Sequence, residues 1–125
     1  NNYQPAWSPD GNQIAFTKMI GAVREIYVMD SDGTDVIQLT DSGFYSARPA
    51  WSPDGTEIAF MSDRFGDMEI YVMDSDGTTT RRLGQIGWAP HWGGVSLKNQ
   101  LLRLGKSLFS PSGEAIIQLT PKAKT

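Results

Sequence analysis

At 125 residues and 39% hydrophobic, with four Trp, four Tyr and five Phe, the chain has single-domain size and enough apolar bulk for a core, which argues against wholesale disorder. Its net charge of −3 and scattered basic residues give no cationic field for nucleic acid, and no run of about 18 apolar residues could enter and span a membrane. The lack of cysteine removes disulfides, thiolate metal sites and cysteine nucleophiles.

The first residues, Asn1 to Gln4, carry neither Met nor a basic and apolar leader, and read as a mature or truncated start. Pro5-Ala6-Trp7-Ser8-Pro9-Asp10-Gly11 follows, and it returns unchanged 44 residues later as Pro49 to Gly55. Each copy predicts a short strand running into a tight turn. Pro presets φ for the first central position, Asp offers a side-chain acceptor, and Gly accepts positive φ. Gln13-Ile14-Ala15-Phe16-Thr17 and its counterpart Glu57 to Met61 carry apolar groups on both faces, as a strand covered on both sides does. Lys18 to Arg24 matches Ser62 to Met68 in length but hardly in sequence, which predicts an exposed hairpin loop.

The next block is the most exact repeat in the chain. Glu25-Ile26-Tyr27-Val28-Met29-Asp30-Ser31-Asp32-Gly33-Thr34 recurs as Glu69 to Thr78 with all ten residues identical. It predicts a second two-faced strand and a turn with Gly at positive φ. Val36 to Thr40, matched more weakly by Thr80 to Leu83, predicts a polar fourth strand at an outer edge. Four short antiparallel strands in a unit of about 40–45 residues is the plan of a propeller blade.

These residues carry a resemblance to a known family. P-x-W-S-P-D-G, then I-A-F, then I-Y-V-M-x-x-D-G, then L-T is similar to the TolB-like (WD-like) β-propeller repeat, over residues 3–84. Ser62-Asp63-Arg64-Phe65-Gly66 also resembles that family's S-x-R-x-G hairpin, whereas Thr17 to Gly21 does not. The resemblance implies an all-β fold of four-stranded antiparallel blades, two of them clear and a third partial or degenerate. It divides the chain into residues 1–40, 41–84 and 85–125. It also implies a scaffold that grips a partner at its channel, and a periplasmic or extracellular location. The family's lyases and serine-peptidase propeller domains supply the second reading, a fragment or accessory domain of a larger hydrolase or lyase.

The third unit departs from the repeat. Trp88-Ala89-Pro90-His91-Trp92 resembles an opening strand but lacks Ser-Pro-Asp. In the resembled family such a strand alone often completes the ring. Beyond it, Leu97, Leu101, Leu104 and Leu108 take a helical spacing, and Ser112 to Thr120 echoes Asp32 to Thr40, the outer strand of the first blade. Residues 95–125 are therefore either a decayed blade or an appended tail.

Little in the chain suggests chemistry. Asp-Ser-Asp-Gly occurs twice, but no distal carboxylate follows to complete a calcium loop, so turn residues bonding their own backbone are expected. His91 is the one histidine, and no nucleophile motif accompanies it. The expectation is no enzyme, no cofactor and no metal. Trp7 and Trp51, recurring at blade period, are expected to pack between blades. Binding belongs to the entries of the opening strands, where the repeats differ: Tyr3 and Gln4, Tyr45 and Arg48, Trp88 and His91. Aromatic and Arg side chains suit a peptide or protein partner. An open stack would leave an end face bare, Ile14 and Phe16 or their opposites among it. This predicts a homo-oligomer: two chains of three blades, or three of two, closing a six-bladed ring.

Overall fold

Alternating side chains, punctuated by the Ser-Pro-Asp-Gly and Asp-Ser-Asp-Gly turns, build two near-identical sheets. A computed structural model describes residues 1–92 and 115–117. The first sheet runs β1 (Asn2–Trp7), β2 (Gln13–Ile20), β3 (Val23–Asp30) and β4 (Ile37–Gln38), antiparallel and in chain order. The second repeats it with β5 (Ser46–Trp51), β6 (Glu57–Phe65), β7 (Asp67–Asp74) and β8 (Arg81–Ile86). Each is a four-stranded propeller blade, as the repeat predicts.

The turns hold for the reasons their residues suggest. Ser8 Oγ donates to Asp10 Oδ1 at 2.6 Å and accepts from the Gln13 amide at 3.0 Å, and Gly11 takes φ +74°. Ser52, Asp54, Glu57 and Gly55 repeat the arrangement. Asp32 Oδ1 accepts from the Thr34 amide and hydroxyl, and Asp76 does the same for Thr78. These carboxylates serve their own turns, and the bonds hold Asp10, Asp32 and Asp76 below the usual carboxylate range.

The core lies between the blades. Ala15, Ile26 and Val28 of the first pack against Trp51, Ile58, Phe60, Tyr71 and Met73 of the second. The far face of the second blade buries Ala47, Ala59, Met61, Ile70 and Val72, with Trp92 packed against them. Ile14 and Phe16 are also buried, so the bare end face expected at those two residues is not found.

Three other expectations are corrected. Lys18 to Arg24 is mostly strand: β2 and β3 pair out to Ile20 and Val23, leaving a two-residue turn at Gly21 and Ala22. In the matching hairpin of the second blade β6 reaches Phe65, and Gly66 alone makes the turn. The fourth strand is shorter than expected in the first blade and longer in the second. In the third unit, β9 (Pro90–Trp92) pairs with β10 (Ala115–Ile117) in parallel. That stretch therefore lies directly beside the opening strand and is not the outer edge of an antiparallel blade. The helical spacing from Leu97 to Leu108 falls outside the described residues.

Candidate functional site

The opening strands β1 and β5 are each interrupted by a bulge, between Tyr3 and Ala6 and between Ala47 and Ala50. Gln4 and Arg48 occupy the same place in these bulges, at φ +55° and +57°. A side-chain-bearing residue held there costs on the order of 1–3 kcal/mol and persists only where its surroundings enforce it. Those surroundings are visible. Thr17 Oγ1 donates to Gln4 Oε1 at 3.0 Å, and the Arg48 amide donates to both Gln4 Oε1 and Thr17 Oγ1 at 3.2 Å. The side chain of Gln4 thereby ties the two bulges together across the blade boundary, while Arg48 is left exposed.

Tyr3 and Tyr45 are brought together by a residue that the sequence reading missed. The Arg24 guanidinium lies 5.4 Å from the Tyr3 ring centroid and 4.9 Å from that of Tyr45, and its Nη1 donates to Tyr45 Oη at 2.6 Å. Both distances are within cation–π range. Tyr45 is anchored in turn, its amide donating to Asp63 Oδ1 at 2.9 Å. The result is a two-blade rim: one guanidinium within cation–π distance of two tyrosine rings, with the exposed Arg48 three residues beyond Tyr45 in the chain. Arg24 belongs to the hairpin where the two repeats differ, and that variability is the signal that could have found it.

Trp88 and His91 stand apart. They belong to the entry and strand of the third unit, both are exposed (Trp88 to 71%), and among the described residues neither bonds to the other four. β9 itself is fixed beside β5 by Trp92 Nε1 donating to the Ala50 carbonyl at 2.9 Å. The described residues hold no group of His, Asp or Glu arranged to bind a metal, and no helix long and apolar enough to cross a membrane. A groove of about 220 Å³ opens between residues 39–42 of the first blade and Arg64, Gly77 and Thr80 of the second. It includes none of the six positions picked from the sequence.

The model of the TolB β-propeller domain matches residues 1–118. The chain belongs to that family. Among solved structures it is similar to a TolB from Agrobacterium tumefaciens, at 32% identity and a TM-score of 0.65, covering 71% of this chain and 32% of that one. A TolB from Acinetobacter baumannii matches at 33% identity and a TM-score of 0.58, covering 69% of this chain and 22% of its own. The chain thus spans about a third and about a fifth of the lengths of these two proteins. A puromycin hydrolase shares the fold at 22% identity and a TM-score of 0.57, over 66% of this chain and 14% of the hydrolase. No curated protein sequence matches the chain. Several rim positions carry different residues in the two blades: Tyr3 and Gln4 stand where the second blade has Ala47 and Arg48, and Arg24 where it has Met68.

Proposed function

We propose that the chain is a non-enzymatic propeller scaffold that takes a protein or peptide segment at its rim. The observation that carries this reading is the Tyr3–Arg24–Tyr45 cation–π cluster at the entry of the same opening strands as Arg48, an exposed residue whose amide is tied down. Aromatic rings lose little freedom on binding and supply apolar contact, and arginine supplies paired donors for carboxylates. The reading therefore favours a peptide bearing acidic and aromatic side chains, with Gln4, Trp88 and His91 as flanking contacts. It includes the completion of a six-bladed ring by self-assembly, as a dimer or trimer, and a periplasmic or extracellular location.

The test is titration of the chain with a panel of short synthetic peptides, acidic–aromatic against basic, followed by tryptophan fluorescence or amide chemical shifts. Acidic–aromatic peptides are expected to bind, and Arg24→Ala with Arg48→Ala to weaken them at least tenfold. Equal response to basic peptides, or binding untouched by the double substitution, would remove the rim from the reading. The alternative, an accessory part of a larger hydrolase or lyase, draws on the fold shared with the puromycin hydrolase, a far longer chain.

A further inference from the structure

The joint between the two blades has three marks. Trp51 Nε1 donates to the Ala6 carbonyl at 2.9 Å. A Cβ placed on Gly55 would meet Pro9 Cδ at 3.6 Å, and one placed on Gly77 would meet the Leu39 carbonyl oxygen at 2.9 Å. The first mark recurs one unit further on, where Trp92 donates to the Ala50 carbonyl at the same 2.9 Å. In both cases the acceptor belongs to the residue directly before the preceding strand's Trp.

The first blade carries the same three residues, Trp7, Gly11 and Gly33, in the same sequence setting, and among the described residues none of them meets a neighbouring blade as its counterpart does. Trp7 is 59% exposed, against 9% for Trp51, and its indole has no acceptor among the described residues. Both Gly11 and Gly33 have open space within 4 Å, again among the described residues. The donor half of a joint is therefore present and unused at one end of the chain. At the other end, β9 offers the equivalent of the Ala6 and Ala50 carbonyls. His91 directly precedes Trp92, as Ala6 precedes Trp7 and Ala50 precedes Trp51, and it is exposed.

We infer that a second copy of this chain docks its β9 against the first blade, head to tail, with the Trp7 indole of one copy donating to the His91 carbonyl of the other. This rests on the self-assembly reading above and names the contact that would make it. Ile14, Phe16 and Tyr27 are already buried within a single chain, so the contact runs along the inner strand. Heterologous contacts of this kind close into a ring when the rotation per copy divides the circle.

The test uses the full chain in sedimentation velocity at micromolar concentration, with circular dichroism as the check of folding. The wild type is expected at two or three times 13.8 kDa, and a folded Trp7→Ala variant at 13.8 kDa. Should Trp7→Ala fail to fold, Trp7→Phe keeps an aromatic ring and removes only the N–H, and association is expected to weaken about fivefold. A folded wild type that stays monomeric would overturn self-assembly and joint together. A wild-type oligomer that Trp7→Ala and Trp7→Phe leave unchanged would overturn the joint alone and leave self-assembly standing.

Discussion

The two blades share a ten-residue segment without a single difference, yet the same glutamate does opposite work in each. In the first blade Glu25 is buried and holds the exit loop. It takes the Thr40 hydroxyl on Oε2 and accepts from the Ser42 and Gly43 amides at 3.1 and 3.0 Å on Oε1. Thr40 Oγ1 also accepts from the Ile26 amide at 2.8 Å, so the chain leaves the sheet after only two residues of β4. In the second blade the place of Thr40 is taken by Gly84 and that of Gln38 by Arg82. Glu69 is then gripped by Arg82 through both oxygens, and β8 runs for six residues. The tyrosine beside each glutamate follows suit. Tyr27 Oη donates to Gln38 Oε1 at 3.0 Å, whereas Tyr71 Oη is buried without a partner among the described residues, its ring covered by Arg64 at 4.7 Å. Identical strands thus take their chemistry from two positions on the outer edge, because the edge is where side-chain partners are free to vary.

The largest expected separation between the blades lies at the opening tryptophans. Trp51→Ala empties the interblade core and removes its bond to Ala6, and is expected to cost about 3–5 kcal/mol. Trp7→Ala, measured in dilute protein, is expected to cost about 0.5 kcal/mol, as an exposed side chain does. Urea denaturation of both variants checks this, and matching midpoints would erase the distinction. A smaller separation is expected at the glycines of the second turn. Gly33→Ala and Gly77→Ala share the strain of φ +88° and +87°, on the order of 1–2 kcal/mol. Only Gly77 also faces the Leu39 carbonyl, so its variant is expected to lose a further 1–3 kcal/mol or so to overpacking. Thermal melts of the pair are the measurement, and equal losses would deny the close approach.

The smallest expected effect is one of pH. The Arg82 hydrogen bonds beside Glu69 hold its carboxyl below the ordinary 4.5. A carboxyl lowered by folding contributes stability above its unfolded value, and that contribution is lost as pH falls through the folded one. Arg82→Gln should therefore flatten the loss of stability on acidification below about pH 4.5, the value of the free carboxyl. Gln38→Ala, at the same place in the first blade, removes no charge and should leave the profile's shape unchanged. Unfolding midpoints taken from neutral to acid pH compare the two, and identical profiles would show that the Glu69–Arg82 pair carries no acid sensitivity.

The repeat, the two turn types, the all-β class and the family were legible in the sequence because each rests on local chemistry: alternation of side chains, Pro and Gly at turns, Asp bonding its own backbone. Four of the five residues of the candidate rim, Tyr3, Gln4, Tyr45 and Arg48, could be picked out too, since they lie where the repeats diverge. Three things depend on tertiary structure. The pairing of Tyr3 with Tyr45 needs Arg24, twenty-one residues from Tyr3 in the chain and brought between the rings by strand order. The left-handed backbone of Gln4 and Arg48 needs Thr17 from the neighbouring strand, since nothing local to either residue favours it. Trp7 and Trp51 sit in one identical heptapeptide, and only the presence of a preceding blade makes one a core residue and leaves the other exposed. Sequence sets what a side chain can bond to, but the neighbour that comes within reach is a property of the assembled sheets.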